Sequence, residues 1–337
     1  MNRPPENTQN KNGGAPALSV SVVIPVLNAE SYLDRLIPAI QNQQPAPPAE
    51  IILVDSMSSD HTREKALTYE GVRVVPIENF SHGRGRNMGV QAASGGIIAL
   101  LTQDALPADE HWLAELLKPF SDPQVAAAYS RQTPYPNATP MERFFLETHF
   151  PARSGRQCVE PGKTDLAFQQ DVFFSNVSGA IRRDLLLKHP FDEKLIMSED
   201  QQFARDVLLD GYSIAYQATS VVQHSHNYSL RTVFKRYFDS VYSLTQLFTG
   251  HDMGKSASMG LNYLFREARF MLTHHPLWLP YYFCYTLAKT TGTIAGHYAD
   301  RMPRWLLRRL SMHSYHWREK MSENSENMVK KGEKADF

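Results

Sequence analysis

Short apolar runs alternate with helical patterns through the N-terminal third, and this alternation restricts the fold more than any other feature of the chain. Residues 19–25 read as a buried strand. After Asn28 a helix carries Leu33, Leu36, Ile37 and Ile40 on one face, and Pro38 inside that pattern predicts a kink or an early end. Residues 51–54, 72–75 and 97–101 read as further strands, with helices over about 60–69 and 86–93 between them. Such alternation argues for a parallel sheet. In open parallel sheets ligands gather beyond the carboxyl ends of the strands, so the residues just after each strand carry the functional information.

Those residues are polar and acidic. The first strand runs into Pro25-Val26-Leu27-Asn28-Ala29-Glu30, the second into Asp55-Ser56-Met57-Ser58-Ser59-Asp60, and the fourth into Thr102-Gln103-Asp104. Asp, Ser and Asn are favoured at turns and caps in any protein, so the signal is their recurrence at one edge. Between the third and fourth strands, Phe80-Ser81-His82-Gly83-Arg84-Gly85-Arg86-Asn87 reads as a loop. Its glycines permit close backbone approach, and its arginines can fork onto phosphate oxygens. The G-x-x-x-x-G-K phosphate loop and the dinucleotide G-x-G-x-x-G are both missing.

Further along, Met197-Ser198-Glu199-Asp200-Gln201 places an acidic pair in what reads as the first turn of a helix. Ser198 and Gln201 match the S-x-x-Q capping box, and Gly211 sits where a helix closes. Asp200 is the candidate catalytic base. The helix dipole and free N–H groups favour its charged form, so the expectation is a carboxylate that stays ionised. Acidic residues in first turns are equally common as plain dipole partners.

These segments together resemble family 2 glycosyltransferases. The resemblance is carried by residues 20–25 with Asn28 and Glu30, by Val54-Asp55-Ser56-Met57-Ser58-Ser59-Asp60, and by Arg86-Asn87-Met88-Gly89, Thr102-Gln103-Asp104 and Glu199-Asp200. A narrower similarity, to the rhamnosyltransferase-like branch of bacterial surface-polysaccharide synthesis, rests on Phe80-Ser81-His82-Gly83, Phe174-Ser175-Asn176-Val177, His224-Ser225-His226-Asn227-Tyr228-Ser229 and Arg236-Tyr237-Phe238-Asp239. It covers about residues 19–317.

The resemblance implies a GT-A fold: an α/β, Rossmann-like, mostly parallel central sheet flanked by helices, with a C-terminal helical region. It implies that Asp55 contacts a nucleotide base, while Pro25, Asn28, Glu30, Ser58, Arg86, Asn87, Thr102, Gln103 and Asp104 line the nucleotide sugar. Asp104 would bind Mg²⁺ or Mn²⁺, which neutralises a departing diphosphate. Thr102 stands where the family's D-x-D has its first carboxylate, so Asp104 needs help from elsewhere in the chain. His224 and His226 follow an apolar run and, being two apart in extended backbone, face the same way. His224 is the preferred ligand; chance His-x-His pairs are the alternative. His82 and Asn176 are further candidates, His82 as a donor or acceptor contact or a solvated loop residue. The implied reaction is inverting hexosyl transfer, with Asp200 as base and Glu199 orienting it or the substrate.

The donor implied is dTDP-rhamnose, with a UDP-hexose or UDP-galactofuranose as the alternative. The acceptor is a glycan or a polyprenyl-linked sugar. Two other classes stay open: a nucleotide-sugar-binding protein without turnover, and a membrane-surface assembly protein.

Charge supports no nucleic-acid role, since Lys plus Arg and Asp plus Glu are 35 each among 337 residues. Cys158 and Cys284 are isolated, which fits a reducing cytosol. Locally the balance breaks. Residues 231–320 hold thirteen Lys and Arg against five Asp and Glu, interleaved with Tyr, Phe and Trp. This region reads as peripheral on the cytoplasmic face of the inner membrane, or as ordinary helix packing or a homodimer interface. The expected division is a disordered tail over 1–18, a catalytic domain over 19–230 and a basic aromatic helical region over 231–318. Within the catalytic domain, 19–133 binds the nucleotide sugar and 134–230 the acceptor. A disordered tail follows over 319–337.

Overall fold

The computed structural model describes residues 19–164, 166–167, 171–248 and 253–317, so both expected tails lie outside the described residues. In chain order the first elements are β1 (Val20–Val26), α1 (Glu30–Gln41), β2 (Glu50–Asp55), α2 (Thr62–Ala66), β3 (Val72–Pro76), α3 (His82–Ala92) and β4 (Ile97–Leu101). Next come β5 (Leu106–Pro107), α4 (Trp112–Leu117), β6 (Val125–Thr133), α5 (Pro140–His149), β7 (Gly155–Gln157), β8 (Ser178–Arg182), α6 (Arg183–Lys188), α7 (Glu199–Leu209) and β9 (Ser213–Gln223). Helices α8 (Leu230–Leu247), α9 (Met253–His274), α10 (Leu279–His297) and α11 (Arg304–Leu310) follow.

The strands form one mixed sheet in the order β3-β2-β1-β4-β8-β6-β9-β5, with β7 paired to β9. The first four strands are parallel to one another, as the βα alternation requires. The antiparallel β8 is inserted between β4 and β6, and β6 pairs in parallel with β9. Residues 133 and 134 therefore divide the chain but not the sheet. Successive strand residues serve opposite faces: Ile52 and Val54 join one core cluster, Ile51 and Leu53 the other. Both sheet faces are covered, so the strands read as continuous apolar runs.

Three local readings need correction. Helix α1 runs through Pro38 to Gln41, because Leu33, Leu36, Ile37 and Ile40 are all buried and hold it against the sheet. Helix α2 is only Thr62–Ala66, shorter than the 60–69 reading. Asp60 is drawn into the preceding loop, where its carboxylate accepts the N–H groups of Glu30 and Thr62. The segment read as a glycine loop is the start of α3, capped by Ser81, whose hydroxyl accepts from Arg84 N. Its glycines serve packing. A Cβ on Gly83 would lie 2.7 Å from Asp192 O, and one on Gly85 2.7 Å from the Phe80 ring.

The C-terminal helices are packed onto the catalytic unit. Met141 of α5 meets Met271 and Tyr282, while Ile196 joins Phe238, Tyr242, Leu307 and Trp317. Among the described residues no helix is long and apolar enough to cross a membrane.

Candidate active site

The exits of β1 and β2 are laced together. Asn28, with φ 50°, accepts from Ser59 N at 2.8 Å, and its own N–H donates to Ser58 Oγ at 2.9 Å. Glu30 accepts from His61 N at 3.1 Å. Asp55 is closed to solvent: it accepts from Ser58 and from the Arg63 guanidinium, which lies across it. Base contact by Asp55 requires Arg63 to move aside. The Gln103 amide pairs with Leu27 N and O at 2.8 and 3.2 Å and ties the exit of β4 to that of β1. Pro25 is half-buried within β1.

Arg86 and Asn87 are engaged within the protein itself. Both are buried on α3. The Asn87 amide donates to Phe191 O and accepts from Phe191 N, which fixes the loop before α7. Arg86 Nη1 donates to Glu199 Oε1 at 2.8 Å.

At the exit of β4 the structure brings Asp104, His224 and His226 together, with one potential ligand atom from each within 4.8 Å of the others. His224 Nε2 is 3.6 Å from Asp104 Oδ1, and His226 Nε2 is 3.5 Å from Oδ2. Both separations exceed a hydrogen bond. They suit neighbouring donors about 2.1 Å from a shared ion. His224 Nδ1 lies 3.0 Å from Gln132 Oε1, which places the proton on Nδ1 and leaves Nε2 free to ligate. Burial drives the His224 pKa down to about 4, so the ring is neutral, the form a metal takes. The donor set fits a divalent cation. Thr102 plays no part in it: its Oγ1 is buried without a hydrogen-bond partner. Two imidazoles could thus complete the donor set that the missing first carboxylate leaves short.

Helix α7 begins at Glu199 as read, and Gly211 closes it: Tyr212 N donates to Val207 O and Gly211 N to Leu208 O. The capping box does not form. Ser198 has φ 65° and makes no side-chain cap bond, while the Gln201 amide pairs with Phe174 N and O. Asp200 is half-buried and accepts from Asn176 N at 3.4 Å. Its pKa is pushed up to about 7 by burial and then by the Glu199 charge, above the value a helix start alone would give. Desolvation outweighs the helix dipole here. Glu199 is buried and bound by Arg86 and by Asn176 Nδ2, with burial opposed by the Arg86 charge, which holds its pKa below the usual range.

The triad and Asp200 share one edge of the sheet. Thr102 N donates to Val177 O at 3.1 Å, and the preceding residue, Asn176, reaches Asp200 and Glu199. His82 is the first residue of α3, its ring set against Phe80 and His313.

Of the other residues at this edge, Tyr228 and Arg236 lie in motifs that carry the narrower resemblance, while Arg63, Gln132 and Glu142 carried no sequence signal. Arg63 and Gln132 are brought in by folding alone. Tyr228 stacks on His226 with ring centroids 4.8 Å apart, and Arg236 donates to the Tyr228 hydroxyl at 3.1 Å. The carboxylate of Glu142 accepts from His226 N at 3.3 Å.

Comparison with known proteins shows the family and the fold. The sequence model described as Glycosyl transferase family 2 matches residues 21–186. The O-antigen chain rhamnosyltransferase RfbN of Salmonella typhimurium is 32% identical over 307 residues, spanning 89% of this chain and 96% of that protein. The O-antigen chain rhamnosyltransferase WbaN of Salmonella anatum is 32% identical over 306 residues, with the same coverage of 89% and 96%. Among solved structures, the mannosyltransferase PcManGT of Pyrobaculum calidifontis, in complex with GDP-Man and Mn²⁺, aligns with a TM-score of 0.52 at 19% identity over 85% of this chain and 76% of that one. Likeness at that identity speaks for the fold alone, which is GT-A.

Proposed function

This chain belongs to glycosyl transferase family 2, and from that premise we propose that it transfers L-rhamnose from dTDP-rhamnose to a hydroxyl of a lipid-linked or polysaccharide acceptor in bacterial surface-glycan synthesis. The observation that carries the reading is the pairing, at one sheet edge, of a carboxyl group poised near neutrality with an Asp-His-His triad.

Asp200 is the base. It takes the acceptor hydroxyl proton onto its carboxylate as the acceptor oxygen bonds to the anomeric carbon. The bond from that carbon to the diphosphate oxygen breaks on the opposite face, the electron pair leaves with the nucleoside diphosphate, and configuration inverts. A base with pKa about 7 suits this task, since it is both substantially ionised and able to hold the proton at neutral pH. Glu199, pinned by Arg86, sets that proton affinity from the next position in the chain. Asp104, His224 and His226 would hold Mn²⁺ or Mg²⁺, which as a Lewis acid offsets the charge of the departing diphosphate. Two imidazoles favour Mn²⁺ over Mg²⁺, which prefers oxygen ligands. In the donor half, Asp55 would meet the base once Arg63 moves, and the laced loop carrying Asn28, Glu30 and Ser58 would frame the nucleoside.

We place the C-terminal helices on the cytoplasmic face of the inner membrane. Phe265, Leu277, Phe283 and Trp305 are 70%, 93%, 71% and 64% exposed, and Arg266, Arg269, Arg304, Arg308 and Arg309 are exposed near them in the chain. Aromatic and aliphatic groups mixed with cations suit the headgroup layer of an anionic bilayer.

The test is transfer from dTDP-rhamnose to a polyprenyl-diphosphate-linked sugar with Mn²⁺, run beside UDP-glucose and UDP-galactofuranose. Product with dTDP-rhamnose alone supports the donor assignment. Equal or better turnover with a UDP-sugar removes it.

A further inference from the structure

The chain beyond α11 returns to the start of α7. We propose that this return, residues 311–317, is a working part of the transfer site, with His313 as a positioning residue that acts on Asp200 through His82 and the Arg86–Glu199 pair. The proposal rests on reading Asp200 as the base.

The return is fastened to α8. Lys235 Nζ donates to Ser311 O at 2.9 Å, and the buried carboxylate of Asp239 accepts Met312 N at 2.7 Å and His313 N at 3.2 Å. Trp317 then packs into the cluster of Phe238, Tyr242 and Ile196. Helix α8 also grips the far side of the same joint: Ser243 Oγ donates to Met197 O, one residue before Ser198. Ser198 adopts a left-handed conformation that side-chain-bearing residues rarely take. Such a conformation persists where the surroundings fix it. Helix α8 and the returning segment are those surroundings, and they decide where Glu199 and Asp200 begin.

The contact with the site runs through rings. His313 meets His82 edge-on, with centroids 5.1 Å apart at 89°. His313 Nε2 is buried without a hydrogen-bond partner, so packing and the backbone bonds to Asp239 hold this ring. The carbonyl of His82 accepts from Arg86 Nη1 at 3.1 Å, and the same Nη1 donates to Glu199 Oε1 at 2.8 Å. Glu199 is the charge that adds to burial in raising Asp200, while Arg86 opposes it. A shift of His82 loosens the hold of Arg86 on Glu199 and changes how tightly Asp200 binds its proton.

The experiment compares wild type, His313→Ala, His313→Phe and Asp200→Asn as full-length chains. It measures kcat against pH, KM for dTDP-rhamnose, dTDP affinity with Mn²⁺ and the melting midpoint. His313→Ala is expected to lower kcat by about tenfold or more and to move the acidic limb of the profile to higher pH, with dTDP affinity within about twofold of wild type. His313→Phe keeps the ring contact and restores most of the turnover and the original limb. Unchanged kcat and pH profile in His313→Ala, or a Phe variant as impaired as the Ala variant, overturns the proposal. If Asp200→Asn retains wild-type turnover, the base assignment fails and this proposal falls with it. An inactive Asp200→Asn beside an unaffected His313→Ala overturns this proposal alone.

Discussion

Arg86 and Glu199, 113 positions apart, hold each other at 2.8 Å with only 7% of each side chain open to solvent. The pair joins the N-terminal half of α3 to the first turn of α7 and so ties the two helices together. Buried ion pairs add little net stability when intact and leave a costly bare charge when one partner is lost.

Arg86→Ala should therefore destabilise the fold by about 3–5 kcal/mol, and the double variant Arg86→Met with Glu199→Gln by clearly less. Urea unfolding of both variants checks this. Equal losses in the two would mean that lost packing, not the stranded carboxylate, sets the cost.

Asp200→Asn should abolish transfer, by about a thousandfold or more, while dTDP binding with Mn²⁺ persists. It should also stabilise the protein in a pH-dependent way. Folding raises the Asp200 pKa from 3.8 to about 7, so the favourable effect of the protonated form is complete below about pH 4 and is lost as pH rises through about 7. The gain from Asn is thus absent near pH 4, grows towards pH 7 and levels off above it at about 1–3 kcal/mol. Thermal melts across that range are the measurement, and a gain that is flat with pH would contradict the raised pKa.

Gln132→Ala leaves all three triad residues in place yet should weaken Mn²⁺ binding by about tenfold or more, because it removes the group that orients His224. His224→Ala should cost more. Calorimetric titration of Mn²⁺ into each protein decides, and unchanged affinity in the Gln132 variant would show that His224 is oriented by other contacts.

Asp55→Ala should cost about 1–3 kcal/mol of stability as well as donor affinity, because Ser58 and Arg63 lose a fully buried acceptor. Arg63→Ala should leave the fold nearly intact and lower the KM for the nucleotide sugar, since it uncovers Asp55. A higher KM would place Arg63 itself on the nucleotide.

Phe283→Asp combined with Leu287→Asp, both on exposed positions of α10, should abolish flotation with anionic vesicles and leave turnover of a water-soluble acceptor unchanged. Retained flotation would move the membrane contact to another surface.

The βα alternation, the apolar face of α1 and the acidic start of α7 were legible in the sequence because each is a short-range pattern with a physical period or terminus. His224 and His226 were legible as a pair in extended backbone, and both do face Asp104. The environment of each group was not. Arg86, Asn87 and Gly83 can read as phosphate-loop vocabulary, yet they also pack α3 against residues 191–193 and α7, contacts set by positions about a hundred residues away. The capping box at Ser198 failed for a similar reason. Gln201 finds better partners in the backbone of Phe174, and burial, which no local pattern reports, decides the charge of Asp200.

Because the triad joins Asp104 to His224 and His226, the order of synthesis matters. A growing chain presents all of the β1 to β4 region, including Asp55 and Asp104, long before β9 exists to bring the two histidines alongside. A half-made protein lacks two of the three residues that could hold an ion there. Under the proposed metal-assisted reaction, competence for transfer would be timed to the last strand of the sheet, and chains truncated before it would lack the full donor set.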